Sequence, residues 1–185
     1  MTVRGPIVIT GMLVAGIVIG VLAAGAGAMA VHYTNTTEFC TGCHVYDEFA
    51  RDFRSSSHWQ NVSGARAGCA DCHVPGDSVV DMLRVKALSG AGAYWAYYVE
   101  GVDTPGEFAA RRPALQQVVH AWFKQRDSGT CRSCHAVASM LLAEQSAGAR
   151  AAHQAAARGG PTCVDCHSGV PHGHAGNGGT GGGSS

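Results

Sequence analysis

Every cysteine in this chain belongs to one repeated pentapeptide. The copies are Cys40-Thr-Gly-Cys43-His44, Cys69-Ala-Asp-Cys72-His73, Cys131-Arg-Ser-Cys134-His135 and Cys163-Val-Asp-Cys166-His167, and none of the 8 cysteines is left over. C-x-x-C-H is the attachment signature of a c-type haem. Two thiols add to the two vinyl groups of one porphyrin, and the adjacent imidazole reaches the iron. Paired C-x-x-C also serves zinc ribbons, and structural disulfides suit an exported chain. Neither has a use for a histidine directly after each second cysteine. The repeats predict four covalently attached haems, with His44, His73, His135 and His167 as proximal iron ligands.

The same reading accounts for a poor apolar inventory. Charged residues make up 14% of the 185 and aromatic residues 7%, while glycine numbers 26. A soluble region this short of large apolar side chains has trouble building a core alone; porphyrins supply the missing surface. Thirteen Lys+Arg balance thirteen Asp+Glu for a net charge of zero. That excludes a nucleic-acid binder held by a basic surface.

No charged residue occurs from Pro6 to Val31. The run exceeds the roughly 20 residues a helix needs to cross the hydrocarbon core. It also outruns the 7–15-residue core typical of a secretory signal peptide, the alternative that Ala28-Met29-Ala30 offers as a cleavage site. An uncleaved single-pass anchor is therefore expected. Arg4 and the amine precede it, so by the positive-inside rule the N-terminus stays cytoplasmic. The rest then lies in the periplasm or outside. Gly16 and Gly20 form a G-x-x-x-G pair, a candidate helix–helix face, so an oligomer through the anchor is open.

Low-spin electron-transfer haems need a sixth ligand. His58 precedes Cys69 at nearly the spacing with which His153 precedes Cys163, so each half reads as motif, lone histidine, motif. His58 and His153 are the first distal candidates, and His172 is the third. His120, beside Trp122, reads as packing on a porphyrin edge. His32 at the membrane border and His174 in the tail read as bystanders.

The chain divides into an anchor (1–32), a tetrahaem domain (33–172) and a flexible Gly-rich tail (173–185). Within the domain, haem pairs at 38–76 and 129–172 flank a helical spacer at 77–128. Ser78-Val-Val-Asp81 and Thr104-Pro-Gly-Glu107 are capping boxes that open two spacer helices, and Gly90 and Gly92 weaken the first midway. Residues 135–158 read as one helix, stopped by Gly159-Gly160-Pro161. Ser55 to Trp59 reads as a helix start or turn. No strand-length alternation occurs. The expected fold is all-α with extensive irregular haem-wrapping loops. Tyr94-Trp95-Ala-Tyr97-Tyr98 suits either a lipid interface or haem faces.

Longer segments carry a resemblance. They are Ser57-His58-Trp59-Gln60-Asn61, the stretch Ser63 to Pro75 around the second motif, Asp127-Ser128 leading into the third, and Thr162 to His172 around the fourth. Across roughly residues 6–172 the chain resembles the NapC/NirT/NrfH family of membrane-anchored tetrahaem quinol dehydrogenases. The resemblance implies oxidation of menaquinol or ubiquinol at the outer face of the cytoplasmic membrane. Electrons then pass through four haems to a periplasmic terminal reductase for nitrite, nitrate or N-/S-oxides, with which the chain would assemble. It also implies distal roles for His58, His153 and His172. Three positions depart from family habits. Tyr46 stands where a methionine is common and can ligate the first haem. Ala70 replaces a lysine that some members carry in the second motif. Gly76 replaces a histidine common in nitrate-reductase-type members.

Quinol oxidation needs a proton acceptor within hydrogen-bond reach of a quinol hydroxyl. The haem on Cys40 and Cys43 is nearest the anchor in sequence and is the natural entry. Asp77 is the candidate base, with a helix N-cap at Asp77-Ser78 as the competing role. Lys86 is a candidate for orienting the quinol. Glu38, Asp47, Glu48 and Asp81 are further acids in reach of the same region. Two other functions would use the same motifs: a passive relay or storage cytochrome without a quinol site, and a small multihaem reductase working at an open iron.

Overall fold

The computed structural model describes residues 4–173. His174 and the Gly-rich stretch after it lie outside the described residues. Among those described, helices α1 to α9 and short 3-10 turns alternate with irregular loops, and no strand occurs.

Helix α1 (Arg4–Tyr33) takes up the whole apolar run. At 1.5 Å per residue it is about 45 Å long, more than the roughly 30 Å hydrocarbon core. None of its most apolar window is buried against protein, and it is long and apolar enough to cross a membrane. Thr36 then caps α2 (Thr37–Cys40) by accepting from the Phe39 amide at 3.2 Å. The first haem motif thus begins within a few residues of the end of α1. A 3-10 turn at His44–Tyr46 leads into α3 (Asp47–Ser55), which buries Ala50 and Phe53. Residues 57–60 form a turn rather than a helix start. Helix α4 (Cys69–His73) is the second haem motif itself.

The two spacer helices form where the caps predict. Ser78 accepts from the Asp81 amide at 3.3 Å and opens α5 (Val79–Tyr98). Gly90 and Gly92 do not interrupt it; each costs about 1 kcal/mol against alanine, which a helix this long absorbs. Thr104 and Glu107 make a reciprocal box, with Pro105 as the first residue of α6 (Pro105–Gln125). Thr104→Ala should lower stability by about 1 kcal/mol, read as a drop in the helical melting temperature with unchanged haem absorbance. A melting curve identical to the parent's would show that the box does not hold α6.

Between α6 and the third motif, Asp127 and Ser128 both take positive φ, 49° and 50°. Left-handed conformation costs a non-glycine residue roughly 1–2 kcal/mol. Arg132 holds this reversal by donating from Nε to the Asp127 carbonyl at 2.8 Å and from Nη2 to its carboxylate at 2.9 Å. Ser128 is fully buried, and α7 (Gly129–Arg132) starts immediately after it.

The single helix expected over residues 135–158 is not what forms. Residues 135–146 are irregular with two 3-10 turns, and α8 covers only Ala147–Ala156. Arg150 reaches back and donates to the carbonyls of Leu142, Ala143 and Gln145 at 2.9, 3.2 and 3.3 Å. Those oxygens are thereby satisfied without an α-helical turn, and Ser146 caps Ala149 instead. The predicted stop does act. Gly159 adopts φ 82°, and a Cβ on Gly160 would come within 2.7 Å of the Ala155 carbonyl. Helix α9 (Cys163–Cys166) carries the last motif.

Few side chains are buried: Val45, Ala50, Phe53, Ala70, Val102, Phe108 and Phe123 are the apolar ones among the described residues. Val45, Val102 and Phe108 form a cluster with Tyr46, Phe49, Ala96 and Tyr97 packed on it. It joins the first motif to the α5–α6 turn.

Candidate functional site

The haem motifs touch in chain order. Helix α2 packs on α4, and α4 on α7. The Cys40 thiol hydrogen-bonds Cys69, which pushes Cys40 up and Cys69 down to about 6. Burial, then the nearby Cys131, pushes Cys72 up to about 11. Cys131 is raised by burial and by Cys163. Attachment points 1, 2, 3 and 4 therefore adjoin in sequence order, starting beside the end of α1.

A local device, which the sequence reading missed, sets two motifs. Asp71 accepts from the Gly68 amide at 2.6 Å, and Asp165 accepts from the Thr162 amide and hydroxyl at 2.7 and 2.8 Å. Each carboxylate sits between the two cysteines of its motif and folds back on the residue before the first. The short helix that presents both thiols and the following histidine is fixed by this contact. Thr162-x-x-Asp165 was the available signal. Lys124 also pairs with Asp165 at 2.5 Å, and these partners hold its carboxyl at about 2.

The histidines come together in facing pairs. The ring planes of His73 and His172 lie 28° apart with centroids 6.2 Å apart, and those of His153 and His167 lie only 9° apart, also at 6.2 Å. His58 faces His135 at 6.0 Å. A metal held between two imidazole nitrogens, each bond about 2 Å and each nitrogen about 1 Å from its ring centre, separates the centroids by about 6 Å. The observed spacings suit such a bridge. Further features fit a metalloporphyrin. A gap is lined jointly by Cys69, Cys72, His73, His172, Phe53 and Pro171. His58 Nδ1 and His172 Nδ1 are buried with no hydrogen-bond partner. At three of the facing histidines burial disfavours the charged imidazole, and the neutral form is the one that binds metal. Burial pushes His172 down to about 4, with His73 and Arg112 adding to the shift, and it lowers His58 and His73 as well. His73 is deep among protein atoms yet exposed to the gap.

Side chains outside the motifs aim these rings. Arg112 on α6, only 13% exposed, pairs with Glu48 at 2.9 Å, lies 4.7 Å over the Phe49 ring and donates to the His172 carbonyl. Gln145 accepts from His153 Nδ1 at 2.7 Å, which leaves Nε2 free. Arg132 also donates to the Ala156 carbonyl at 3.2 Å and so ties the third motif to the end of α8, the helix of His153. Neither Arg112 nor Gln145 carries a sequence signature: Arg112 works through contacts some sixty residues away, and Gln145 reaches His153 only because the intervening residues turn back.

The first motif differs. His44 faces Tyr97, not a histidine, with centroids 6.1 Å apart and planes at 82°. Tyr46 turns away into the core, edge-on to Phe108 at 5.2 Å, where burial raises its pKa. His120 is not paired with another histidine; its Nε2 donates to the Ser168 carbonyl at 3.0 Å. Asp77 and Lys86 are not brought together. Ser78 is the cap of α5, and Asp77 precedes it, exposed, close enough to Arg126 to raise that group's pKa. Lys86 lies nine residues on, about two and a half helical turns or roughly 13 Å along the axis. It donates to the Thr34 carbonyl at 2.9 Å and hydroxyl at 2.8 Å, and its charge reaches Cys40.

The chain has clear relatives. The N-terminal-region profile of the NapC/NirT cytochrome c family matches residues 4–177. A putative tetraheme cytochrome-c type protein of Allochromatium vinosum is 42% identical, over 83% of this chain and 82% of that one. The denitrification system component NirT of Stutzerimonas stutzeri is 36% identical over 88% and 80%. The cytochrome c-type protein TorC of Escherichia coli K12 is 37% identical over 85% of this chain but only 40% of its own length. Among solved structures, the cytochrome c nitrite reductase NrfHA complex bound to the HQNO inhibitor contains a chain that superposes with a TM-score of 0.55 at 25% identity, covering 87% of this chain and 90% of that one. With its C-x-x-C-H repeats, all-helical fold and apolar N-terminal helix, the chain belongs to the NapC/NirT cytochrome c family, whose members carry covalently bound c-type haem.

Proposed function

We propose that this chain is a membrane-anchored tetrahaem cytochrome that oxidises quinol and relays the electrons to a periplasmic terminal reductase. The carrying observation is the ordered contact of the four attachment motifs, which begins where α1 ends. The name of the Allochromatium relative supports the count of four, and the NrfHA complex supports a reductase partner.

In this reading α1 spans the cytoplasmic membrane with its N-terminus inside, and residues 33–172 form the haem domain on the outer side. Cys40 and Cys43, Cys69 and Cys72, Cys131 and Cys134, and Cys163 and Cys166 each tether one porphyrin. His44, His73, His135 and His167 are the proximal ligands. On the facing side, His172 serves the second haem, His58 the third and His153 the fourth. Bound haem supplies one-electron transfer. The protein's own groups do the rest. Lys86, fixed between Thr34 and Cys40, presents a positive charge at the membrane end of the relay and orients the quinol oxygen there. Asp77, at the exposed start of the same helix and apart from Lys86, receives the released proton by way of water and passes it to the solvent. Tyr97, which meets His44 edge-on, has no ring nitrogen, so no second imidazole would hold the first haem from there and substrate could approach it.

The test is reduction of the full-length holoprotein in lipid vesicles by a menaquinol analogue. Four haems per chain by pyridine haemochrome, reduced by the quinol, are the expected result. Reduction by dithionite alone would reduce the chain to a passive relay. A count below four would overturn the tetrahaem assignment.

A further inference from the structure

Helix α5 turns a neutral apolar stripe away from the rest of the protein. Val80, Leu83, Ala87, Ala91, Tyr94 and Tyr98 recur at steps of three or four and so share one face. None is buried; Val80 is 77% exposed, Tyr94 64% and Tyr98 68%. The contacts of α5 with the rest of the chain leave from other sides. Asp81 pairs with Arg126, and Arg84 and Leu88 line a cleft shared with Trp122 on α6. Lys86 reaches Thr34, and Tyr97 reaches His44. A soluble protein ordinarily turns charge outward on such a helix. Here Asp81 and Lys86 are turned to partners in the protein, Arg84 stands at the edge of the stripe, and the stripe itself carries no charge.

The position of α5 says what covers it. Lys86 ties the helix to Thr34, the residue directly after α1. If α1 spans the membrane, α5 sits level with the point where the chain leaves it. Where α5 runs across the axis of α1, its tyrosines, with Trp95 beside them, fall near the level of Tyr33 at the last turn of α1. Tyr and Trp are the residues enriched at headgroup level, and a helix with one apolar face lies in that plane with the face sunk about 5–10 Å. We infer that α5 is a second, monotopic membrane contact whose Val80–Tyr98 stripe rests in the outer-leaflet interface. This rests on the reading of α1 as the anchor. It gives the anchor a second point of support, so that the haem domain is fixed in tilt as well as depth. The entry motif at His44, which Tyr97 contacts from α5, is then held against the lipid surface from which a quinol arrives.

The experiment uses the full-length holoprotein in phosphatidylcholine vesicles doped with a phosphatidylcholine that carries a photoreactive diazirine in its acyl chain. Adducts are mapped by peptide mass spectrometry. Lipid adducts are expected on α1 and on the peptide containing Tyr94 to Tyr98, and not around the exposed Val118 of α6. Ala91→Glu should cut the α5 adducts several-fold relative to those on α1, with haem absorbance unchanged. Adducts on α1 without any on α5 would overturn the inference and leave the anchor standing. Absence of adducts on α1 would remove the anchor reading and this inference with it.

Discussion

His172→Gly is expected to turn one haem in four from low-spin to high-spin in the ferric state. The His172 ring faces His73 at 6.2 Å and borders the gap that Cys69 and Cys72 also line. Its Nδ1 is buried with no other partner, and Arg112 holds its backbone in place. Removing the imidazole leaves the second haem one ligand short while the covalent tether remains. Electron paramagnetic resonance should show a new high-spin signal of about one haem per chain. Added imidazole should abolish it, because a free ligand can refill the place of a truncated one. The axial ligand is one of the main determinants of haem potential, so one of the resolved redox steps should shift as well. His153→Gly should do the same at the fourth haem. His120→Gly should leave the spin state of each haem as it is in the parent protein, since His120 bonds the Ser168 carbonyl rather than facing another imidazole. A His172→Gly protein with an unchanged spin state would separate His172 from iron altogether.

Asp77→Asn should slow quinol-driven haem reduction by about 100-fold and leave dithionite reduction untouched. A positioned proton acceptor contributes on the order of 10²–10⁴ to such a step, and the amide is isosteric but cannot take the proton. Because Ser78 makes the cap of α5, the substitution should leave the helix intact. Lys86→Met should act differently. It removes the tie to Thr34 and the charge beside Cys40, so it should raise the quinol concentration needed for half-maximal rate more than it lowers the rate. Wild-type quinol kinetics in Asp77→Asn would remove Asp77 from the mechanism and return attention to the other acids near the first motif.

Much of the architecture was legible because its causes are local. The caps at Ser78 and Thr104 start α5 and α6 where the residue types say they should, and Gly159-Gly160 ends α8. The failure over residues 135–158 has the opposite origin. Helix-favouring residues there lose to Arg150, whose guanidinium binds three carbonyls within its reach. Propensity is a weak prior against a multidentate charged donor. The positions of Asp77 and Lys86 were also out of reach, since nothing in the residues near 77 or 86 reveals that one lies by Arg126 and the other by Thr34.

By itself the amino-acid order determined the covalent chemistry and the membrane helix. Thioether attachment needs only two cysteines and a histidine within five residues, and a membrane span needs only an unbroken apolar run, so both are written in consecutive positions. Which imidazole faces which was decided by the tertiary structure alone. His58 meets His135, His153 meets His167 and His172 meets His73. Two of those pairs join segments that are far apart in the chain, and Arg112 and Arg132 align two of the three by gripping backbone carbonyls on elements remote from their own. Pairing of that kind depends on distances in space that no spacing along the chain encodes.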